Sequence, residues 1–255
     1  MKICIDAGHG GHDSGAVGIG GRKEKDDNLR FALALQKRFE AGGNTVLMTR
    51  TADNYPSLSD RVKMANDAGV DVYISVHRNS ADASAHGIET LISVHASKKS
   101  KEVAKAVQAA MISVGGRDRG VKAQANRVYV LDKTKMPACT VEIGFVTNAG
   151  DNDLFDSKFY QYADAVYAGV SGQFGGSVTP APEPTEPSSV YDYVVTAGEA
   201  RLRAAATSNS ADLGVYPKGT KLSLESYYKG DKWARVIVKS TGKTGYMYWS
   251  YIGKK

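Results

Sequence analysis

The sequence is poor in cysteine and has no long apolar run. Its two cysteines, Cys4 and Cys139, lie in apolar stretches far apart in the 255 residues, which excludes a zinc ribbon and favours two buried free thiols over a disulfide. No apolar segment approaches the ~20 residues that a membrane helix needs. Too few apolar residues precede Asp6 for a secretory signal, so we expect a protein that is made in the cytoplasm and acts outside it only after release.

Two common signatures of nucleotide and metal sites are also absent. Gly8, Gly10 and Gly11 follow the first predicted strand, but neither GxGxxG nor GKS/T does, which argues against a nucleotide site. No HExxH segment marks a zinc protease. The glycines more simply let the backbone turn sharply, so that His9 is free to face a ligand.

Proline is scarce except in one segment. Four of the seven prolines fall in residues 179–189, TPAPEPTEPSS, which predicts an extended linker between a domain at 1–178 and a second at 190–255. The second domain has 11 Lys and Arg against 5 Asp and Glu, so its charge of +6 equals the surplus of the whole chain. A basic module indicates an anionic partner, and charge alone leaves open whether that is wall polymer, nucleic acid or a membrane surface.

Strand and helix signals alternate in the first domain, whereas the second has no helical spacing. Helical spacing stops at Gly42 and Gly69, and Ser97 is placed to cap a third helix. This order predicts an α/β domain with a mostly parallel sheet covered by helices, followed by a small all-β barrel. The strands predicted in the first domain are KICIDA, TVLMT, VDVYISVH, GIETLISV, RVYVL and ACTVEIGFV, and the helices lie at about 27–41, 58–68, 97–114 and 156–174.

Four side chains with useful chemistry lie near predicted strand ends. His9 follows the first strand, His77 ends VDVYISVH, Glu142 lies within TVEIGF, and Glu24 lies in a polar segment before the first helix. Loops at the carboxyl ends of strands gather in one crevice of an α/β sheet, so the four can converge. Two histidines and a carboxylate form a catalytic zinc set, which leaves a second glutamate to move protons. The residue types alone leave open that each histidine is structural and each glutamate solvated.

Six blocks of the first domain, all between residues 3 and 155, carry a family pattern. They read IDAGHGGHDSGAVG, KEKDDNL, MTRTADNYPSLSDRVKMAN, ISVHRNSA, HGIET and VEIGFVTNAGDNDLF. In this order they resemble the signatures of the zinc amidase family called amidase-3. Carried over position by position, the resemblance implies zinc ligands at His9, Glu24 and His77 and a catalytic glutamate at Glu142.

The resemblance implies zinc-assisted hydrolysis of the amide bond that joins N-acetylmuramic acid to L-alanine in peptidoglycan, with Glu142 handling the proton. Arg78 departs from the family pattern, in which a small residue is more usual, and we expect this extra cation beside the site to change substrate preference. Asn79 and Glu89 are interpreted either as supporting or substrate-contacting residues, or as a turn residue and an exposed strand position. The histidines predicted not to be ligands are His12, His86 and His95.

The second domain has a pattern of its own within residues 194–252. Its features are an R-x-R strand, a G-x-x-x-K-G-T turn, a W-x-x-V strand and a K-T-G-Y hairpin. They resemble a bacterial SH3-type repeat, which implies wall binding through exposed aromatics, with Lys and Arg facing anionic polymer. Trp233 and Tyr246 are predicted to be core residues. The candidates for wall contact are Tyr227, Tyr228, Tyr248 and Trp249.

Together the two resemblances imply a zinc-dependent peptidoglycan amidase. We expect a monomeric phage endolysin that lyses a Gram-positive host and has no nucleic-acid or membrane partner. A bacterial autolysin is the close alternative. A non-catalytic wall-binding protein on an amidase scaffold is a second class, against which the complete set of four site residues argues. Nucleic-acid binding by the basic domain has only charge in its favour.

Overall fold

The computed structural model describes residues 1–124, 128–175, 192–204, 208, 210–226 and 232–255. The chain divides into two compact units, Met1–Thr179 and Pro180–Lys255. The predicted linker at 179–189 lies outside the described residues, so the proposed domain bounds stay a prediction. In the described ranges, no helix has both the length and the apolar character that crossing a membrane requires.

A six-stranded sheet forms the centre of the first unit. Its strands are β1 (Lys2–Ala7), β2 (Thr45–Met48), β3 (Val72–Asn79), β4 (Ile88–Ser93), β5 (Asp118–Gln124) and β6 (Ala138–Phe145). They lie in the order β2-β1-β3-β6-β4-β5, and each neighbouring pair is parallel except β4 with β6. The predicted α/β fold with a mostly parallel sheet is confirmed.

Helices cover both faces of this sheet. They are α1 (Glu24–Ala41), α2 (Leu58–Ala68), α3 (Lys98–Val114), α4 (Tyr129–Lys133), α5 (Ala149–Ser157) and α6 (Phe159–Ser171). Strand residues alternate between the faces, so Ile74 packs in the core formed with α1, α3 and α6, whereas Tyr73 packs in the core formed with α2 and α4. Cys4 and Cys139 are buried and free, as predicted.

Side-chain caps explain where two of the helices begin. Ser57 and Asp60 form a reciprocal capping box at the start of α2, and Gly69 ends that helix with a left-handed φ of 57°. Ser97 accepts a hydrogen bond from Ser100 N at the start of α3. Both starts agree with the sequence prediction.

The prediction for RVYVL was wrong. In place of a strand, Tyr129–Lys133 forms the short helix α4, whose Val130 and Leu131 pack in the core beneath the sheet, while Arg127 lies outside the described residues. The strand of this region lies earlier, at Asp118–Gln124. It is an edge strand with one neighbour and half-exposed residues, and for that reason it carries no apolar run.

Two helix boundaries also differ from the prediction. The helix expected at 27–41 begins at Glu24, so Glu24 belongs to its first turn rather than to a loop. The helix expected at 156–174 is two helices that meet at Lys158, the first of them capped by Asn148. Beyond the second, residues 172–174 form a single 3-10 turn.

An antiparallel sheet forms the described part of the second unit. Its strands are β7 (Asp192–Val195), β8 (Glu199–Arg203), β9 (Asp212–Pro217), β10 (Lys221–Ser226), β11 (Trp233–Val238), β12 (Thr244–Tyr248) and β13 (Ile252–Lys254). They lie in the order β13-β7-β10-β11-β12-β8-β9 around an apolar core that includes Leu202, Val236 and Met247. The described residues show no pairing between β13 and β9, the outer strands, so the SH3-type barrel stays a prediction.

Candidate metal centre

Two imidazoles and one carboxylate meet in the first unit, near the carboxyl ends of β1 and β3. The ligand atoms that His9, Glu24 and His77 offer all lie within 4.8 Å of one another. Glu24 lies between the two rings, with Oε2 3.2 Å from His9 Nε2 and Oε1 2.8 Å from His77 Nδ1. The structure therefore brings together the three residues that the sequence predicts as ligands. Their role as ligands stays a prediction.

The turn after β1 aims the His9 ring into this group. His9 has a φ of 60°, which makes it the only non-glycine residue in the described ranges with a left-handed backbone. Arg61 Nη2 donates a hydrogen bond to His9 O at 2.7 Å, and Arg61 Nη1 also pairs with the buried Asp6 at 2.6 Å. Strained backbone of this kind persists where surrounding contacts impose it, and it concentrates at functional sites.

Two glycines leave space for the rings. A Cβ at Gly8 would lie 2.3 Å from the His77 ring, and a Cβ at Gly15 would lie 2.6 Å from both Glu24 Oε2 and His9 Cδ2. Gly15 also has a φ of +60°. The glycines in the first resembled block thus have a steric function at the site besides allowing the backbone to turn.

Glu24 is fixed by main-chain donors on two sides. Ala16 N donates to Oε2 at 2.9 Å and Arg78 N donates to Oε1 at 3.2 Å. Burial by itself would raise the pKa of the Glu24 carboxyl, but its hydrogen bonds to His77 and His9 hold that pKa well below its usual range. Burial would likewise lower the pKa of His77, but the contact with Glu24 raises it to about 9. The group is therefore electrostatically suited to hold positive charge, whether a proton or a cation.

Glu142 lies in β6 directly beside His77 in β3. Its Oε2 atom is buried and has no hydrogen-bond partner in the described part of the chain. Burial raises the pKa of the Glu142 carboxyl to about 7; His77 opposes this shift, while the charges of Glu24 and Glu89 add to it. A carboxyl group that titrates near neutrality is suited to accept a proton and to return it.

Asn79 and Glu89 form a network next to Glu142. Asn79 Nδ2 donates to Glu89 Oε1 at 3.0 Å, and Arg119 Nε and Lys122 Nζ donate to Oε2 at 2.5 and 2.6 Å. Glu89 is only 5% exposed and lies opposite Glu142 in the antiparallel β4–β6 pair. The interpretation of Glu89 as an exposed strand position was therefore wrong. A direct contact of Asn79 or Glu89 with substrate stays a prediction.

The remaining histidines have other surroundings. The His12 ring packs on Tyr55, with ring centroids 4.3 Å apart. His86 Nδ1 lies 2.9 Å from Ser84 O. Within the described ranges, neither these two nor His95 belongs to a group of side chains that could hold a metal ion.

Arg78 is not a free cation beside the site. It is 2% exposed, and because it follows His77 in a strand its side chain points to the opposite face of the sheet. There Nη1 donates to Asp27 Oδ2 at 2.6 Å and Nη2 donates to Asn152 Oδ1 at 2.7 Å. The expectation of an extra cation beside the site was therefore wrong, and an effect of Arg78 on substrate preference stays a prediction.

The sequence did not reveal the residues that support the predicted ligands. Asp13 Oδ2 lies 2.8 Å from His9 Nδ1, so that His9 Nε2 is the nitrogen directed at Glu24. Arg50 Nη2 and Asn28 Nδ2 donate to Gly8 O at 2.9 and 3.3 Å. Asp13, Asn28 and Arg50 all lie inside the resembled blocks, which was the one signal that could have identified them.

The second unit contains an open cavity of about 570 Å³. Trp233, Tyr248 and Tyr251 line it, with centroid distances of 4.3 Å between the first two rings and 5.6 Å between the last two. Arg201 and Arg203 line the same cavity. The prediction that Trp233 is a core residue was thus wrong, because Trp233 is half-buried and borders open space.

The other aromatic residues of this unit divide into three cases. Tyr246 is buried, as predicted. Trp249 packs against Tyr193 and the apolar core, with ring centroids 5.7 Å apart, and does not line the cavity. Tyr227 and Tyr228 lie outside the described residues.

Comparison with known proteins places the first unit among wall amidases. The family Amidase_3, described as N-acetylmuramoyl-L-alanine amidase, matches residues 3–172. YqiI of Bacillus subtilis, an uncharacterized protein, is 38% identical over 176 residues, which are 68% of this chain and 84% of YqiI. The amidase LytC of the same organism is 37% identical over 173 residues, 66% of this chain but only 34% of LytC. The crystal structure of an N-acetylmuramoyl-L-alanine amidase from Clostridium difficile 630 has a TM-score of 0.65 at 35% identity and covers 69% of this chain and 97% of its own.

Proposed function

This chain belongs to the Amidase_3 family of N-acetylmuramoyl-L-alanine amidases, and on that premise we propose that it hydrolyses peptidoglycan with the help of a Zn²⁺ ion. The bond cut is the amide between N-acetylmuramic acid and the L-alanine of the stem peptide. The observation that carries the proposal is the convergence of His9, Glu24 and His77 beside the unpartnered carboxyl oxygen of Glu142.

The donor set suits zinc. Two imidazole nitrogens and one carboxylate are ligands that catalytic zinc takes when a fourth position is left for water or substrate. His9, Glu24 and His77 would hold the ion, and Asp13 behind His9 fixes the orientation of that ring, as supporting carboxylates do in zinc sites. Bound there, Zn²⁺ supplies Lewis-acid chemistry, which polarises an amide carbonyl and lowers the pKa of a water molecule.

Glu142 is the residue that moves the proton. Its pKa of about 7 and its unpartnered Oε2 suit a base that accepts a proton from the attacking water. The same carboxyl then donates that proton to the alanine nitrogen as the C–N bond breaks. Glu89 assists through charge: although burial opposes it, Lys122 and Arg119 hold the pKa of Glu89 below its usual value. An ionised Glu89 makes Glu142 the stronger base.

The second unit is proposed to bind the wall. The aromatic side of its cavity, formed by Trp233, Tyr248 and Tyr251, offers ring faces on which sugar or peptide groups can stack. Arg203 adds positive charge at the same place, where Arg201 pairs with Asp212 and Glu199 also lines the cavity, and the surplus of +6 in residues 190–255 attracts anionic wall polymer.

The same chemistry serves a phage endolysin and a bacterial autolysin. We propose the endolysin, which meets the wall of a Gram-positive host after release from the cytoplasm. The autolysin fits the same site and is the alternative.

The test is digestion of purified Gram-positive walls, with the products identified by mass. Wild type is compared with chelated protein, chelated protein given Zn²⁺, and Glu142→Gln. We expect free alanine amines and lactyl groups from wild type, their loss with chelator and their return with Zn²⁺. Glu142→Gln should be ~10²- to 10⁴-fold slower, the range that proton transfer contributes, while binding Zn²⁺ as wild type does. Bound metal without cleavage of any wall would overturn the amidase and favour a binding scaffold.

A further inference from the structure

A buried arginine connects the elements that carry two of the proposed ligands. Arg78 follows His77 in β3, and its guanidinium reaches Asp27 in α1 and Asn152 in α5. The guanidinium also lies over the Phe155 ring, 4.1 Å from the centroid. One side chain therefore joins the strand of His77 to the helix that begins with Glu24.

The contact with α1 falls on its first turn. Glu24 and Asp27 are three residues apart, so they are near neighbours on that helix. Arg78 holds this turn twice, because its side chain binds Asp27 at 2.6 Å and its backbone N–H binds the Glu24 carboxylate at 3.2 Å. The position of Glu24 relative to His77 depends on the junction between α1 and β3, which these two contacts span.

Stability alone does not explain a charge in this place. Removing a guanidinium from water is unfavourable, and well-packed apolar residues often replace a buried ion pair with no loss of stability. What an apolar side chain cannot reproduce is a directed link of fixed length between strand and helix.

We propose that Arg78 is a positioning residue for the metal centre: its ion pair with Asp27 fixes the first turn of α1 against β3 and so sets the separation of Glu24 and His77. This inference rests on the proposed metal-binding function of those residues. It adds an effect on metal affinity to the effect on substrate preference that the sequence suggested.

When Arg78 is replaced, Asn152 Oδ1 loses the hydrogen bond from Nη2, but Asp27 keeps another partner. Asp27 also accepts hydrogen bonds from Arg22 Nε and Nη2 at 2.6 and 3.0 Å, so it keeps a cationic partner when Arg78 is replaced. Methionine has a similar length, and its sulfur packs well against an aromatic ring such as Phe155. Arg78→Met therefore removes the link without leaving Asp27 as an unpaired buried charge.

A matched control exists at the other end of the same helix. Arg38 is also buried and pairs with Asp164, at 2.6 Å from Nε to Oδ1. It lies 14 positions after Glu24, about 21 Å along the helix at ~1.5 Å per residue. Arg38→Met removes a buried arginine of α1 from its pair with the half-buried Asp164 without touching the first turn of the helix.

The experiment measures the Zn²⁺ affinity of the full chain by competition with a chromophoric chelator, and the thermal unfolding of each variant by circular dichroism at 222 nm. We expect Arg78→Met to lower the affinity about 10- to 100-fold, the range typical of groups that orient metal ligands. Arg38→Met should change the Zn²⁺ affinity less than about twofold, while lowering the unfolding temperature about as much as Arg78→Met does. Arg78→Lys, which keeps the charge but offers one donor group in place of the fork, should recover part of the affinity.

The outcomes separate this inference from the function on which it rests. If wild type binds no Zn²⁺, the proposed metal centre fails and the inference falls with it. If wild type binds and Arg78→Met binds equally well, or if Arg38→Met loses as much affinity, the positioning role alone is overturned. Should Arg78→Met not fold, Arg78→Lys decides, because unchanged affinity in that variant contradicts a geometric link.

Discussion

The two units of this chain treat charge in opposite ways. Among its described residues, the first buries ten charged side chains: Asp6, Glu24, Lys25, Asp27, Arg38, Arg50, Arg61, Arg78, Glu89 and Asp151. In the second, as far as its residues are described, no charged side chain is buried and the core is apolar apart from two tyrosines. Its arginines instead line an open cavity or lie at the surface.

The energetics of buried charge suggest why the two cores differ. A buried charge must be paired and hydrogen-bonded to be tolerated, and even then it adds little stability over an apolar residue. In the first unit, directed contacts of this kind lie at the proposed site: Arg61 binds Asp6 and His9 O, and Arg78 binds Asp27 in the first turn of α1, which also carries Glu24. The described core of the second unit holds no such directed charge pairs, and its arginines lie outside that core.

Disturbing the proposed metal centre without any change of charge should have the largest effect. Gly15→Ala would place a Cβ 2.6 Å from Glu24 Oε2 and from the His9 ring, so the ligands must move apart. We expect Zn²⁺ affinity and wall hydrolysis to fall about 100-fold or more, at least the loss seen when groups that orient ligands are removed. Chelator competition and release of wall fragments measure the two quantities.

The matched control for this substitution is Gly20→Ala. Gly20 has a similar φ of +67°, but a Cβ there would have no neighbour within 4 Å. Alanine at such a φ costs roughly 1 kcal/mol, so Gly20→Ala should be slightly less stable and fully active. Equal losses of affinity from both variants would mean that backbone strain, rather than steric contact with the ligands, is responsible.

The α/β alternation and the convergence of the site residues were predictable because their signals are local. His9 and His77 lie at or near the ends of apolar strands, and the topology of a parallel sheet brings such ends together. The resemblance to the amidase family predicted which of these residues are metal ligands and which is catalytic, because residue spacing alone left those roles open. Even the supporting residues Asp13 and Asn28 lay in those blocks, although nothing local showed what they contact.

What could not be predicted depends on contacts between distant positions. Arg78 meets partners 51 and 74 residues away, so the sequence showed its charge but not the face on which that charge is neutralised. The strand at 118–124 is an edge strand, in which half-exposed polar residues hide the apolar alternation. Trp233 has the sequence pattern of a core residue. The sequence could not show that Trp233 and its neighbour across the sheet, Tyr248, line the same open cavity.

The stability of the first unit should depend on pH through Glu142. The folded protein raises the pKa of this carboxyl from 4.5 to about 7, so the folded state binds the extra proton between these values and stability falls as pH rises. Glutamine stays neutral. In metal-free protein, Glu142→Gln should therefore match wild type near pH 5 and exceed it near pH 8 by roughly 2–3 kcal/mol, at about 1.4 kcal/mol per unit of pKa.

Urea unfolding at the two pH values measures this difference, and each unit has its own signal. The described α-helices all belong to the first unit, so ellipticity at 222 nm follows its unfolding. Trp233 and Trp249 are the only tryptophans of the chain, so their fluorescence follows the second unit, which should not respond to Glu142→Gln. A stabilisation of the first unit that is equal at pH 5 and pH 8 would contradict the predicted role of desolvation.

Two substitutions of basic residues should have the smallest effect. They test whether the second unit binds the wall through a cationic side chain at its cavity or through its overall positive charge. Arg203 lines the aromatic cavity and donates through Nη1 to Ser210 O, whereas Lys218 is exposed and does not line it. Arg203→Gln and Lys218→Gln change the net charge equally. If the cavity recognises the wall, Arg203→Gln should bind purified walls about 5- to 10-fold more weakly, an ordinary loss for an interface arginine, and Lys218→Gln less than about twofold more weakly.

Neither substitution should change hydrolysis of a soluble muropeptide by the first unit. Equal losses that disappear at high salt would instead mean that the basic surface as a whole attracts the polymer, since screening removes long-range attraction and leaves specific contacts.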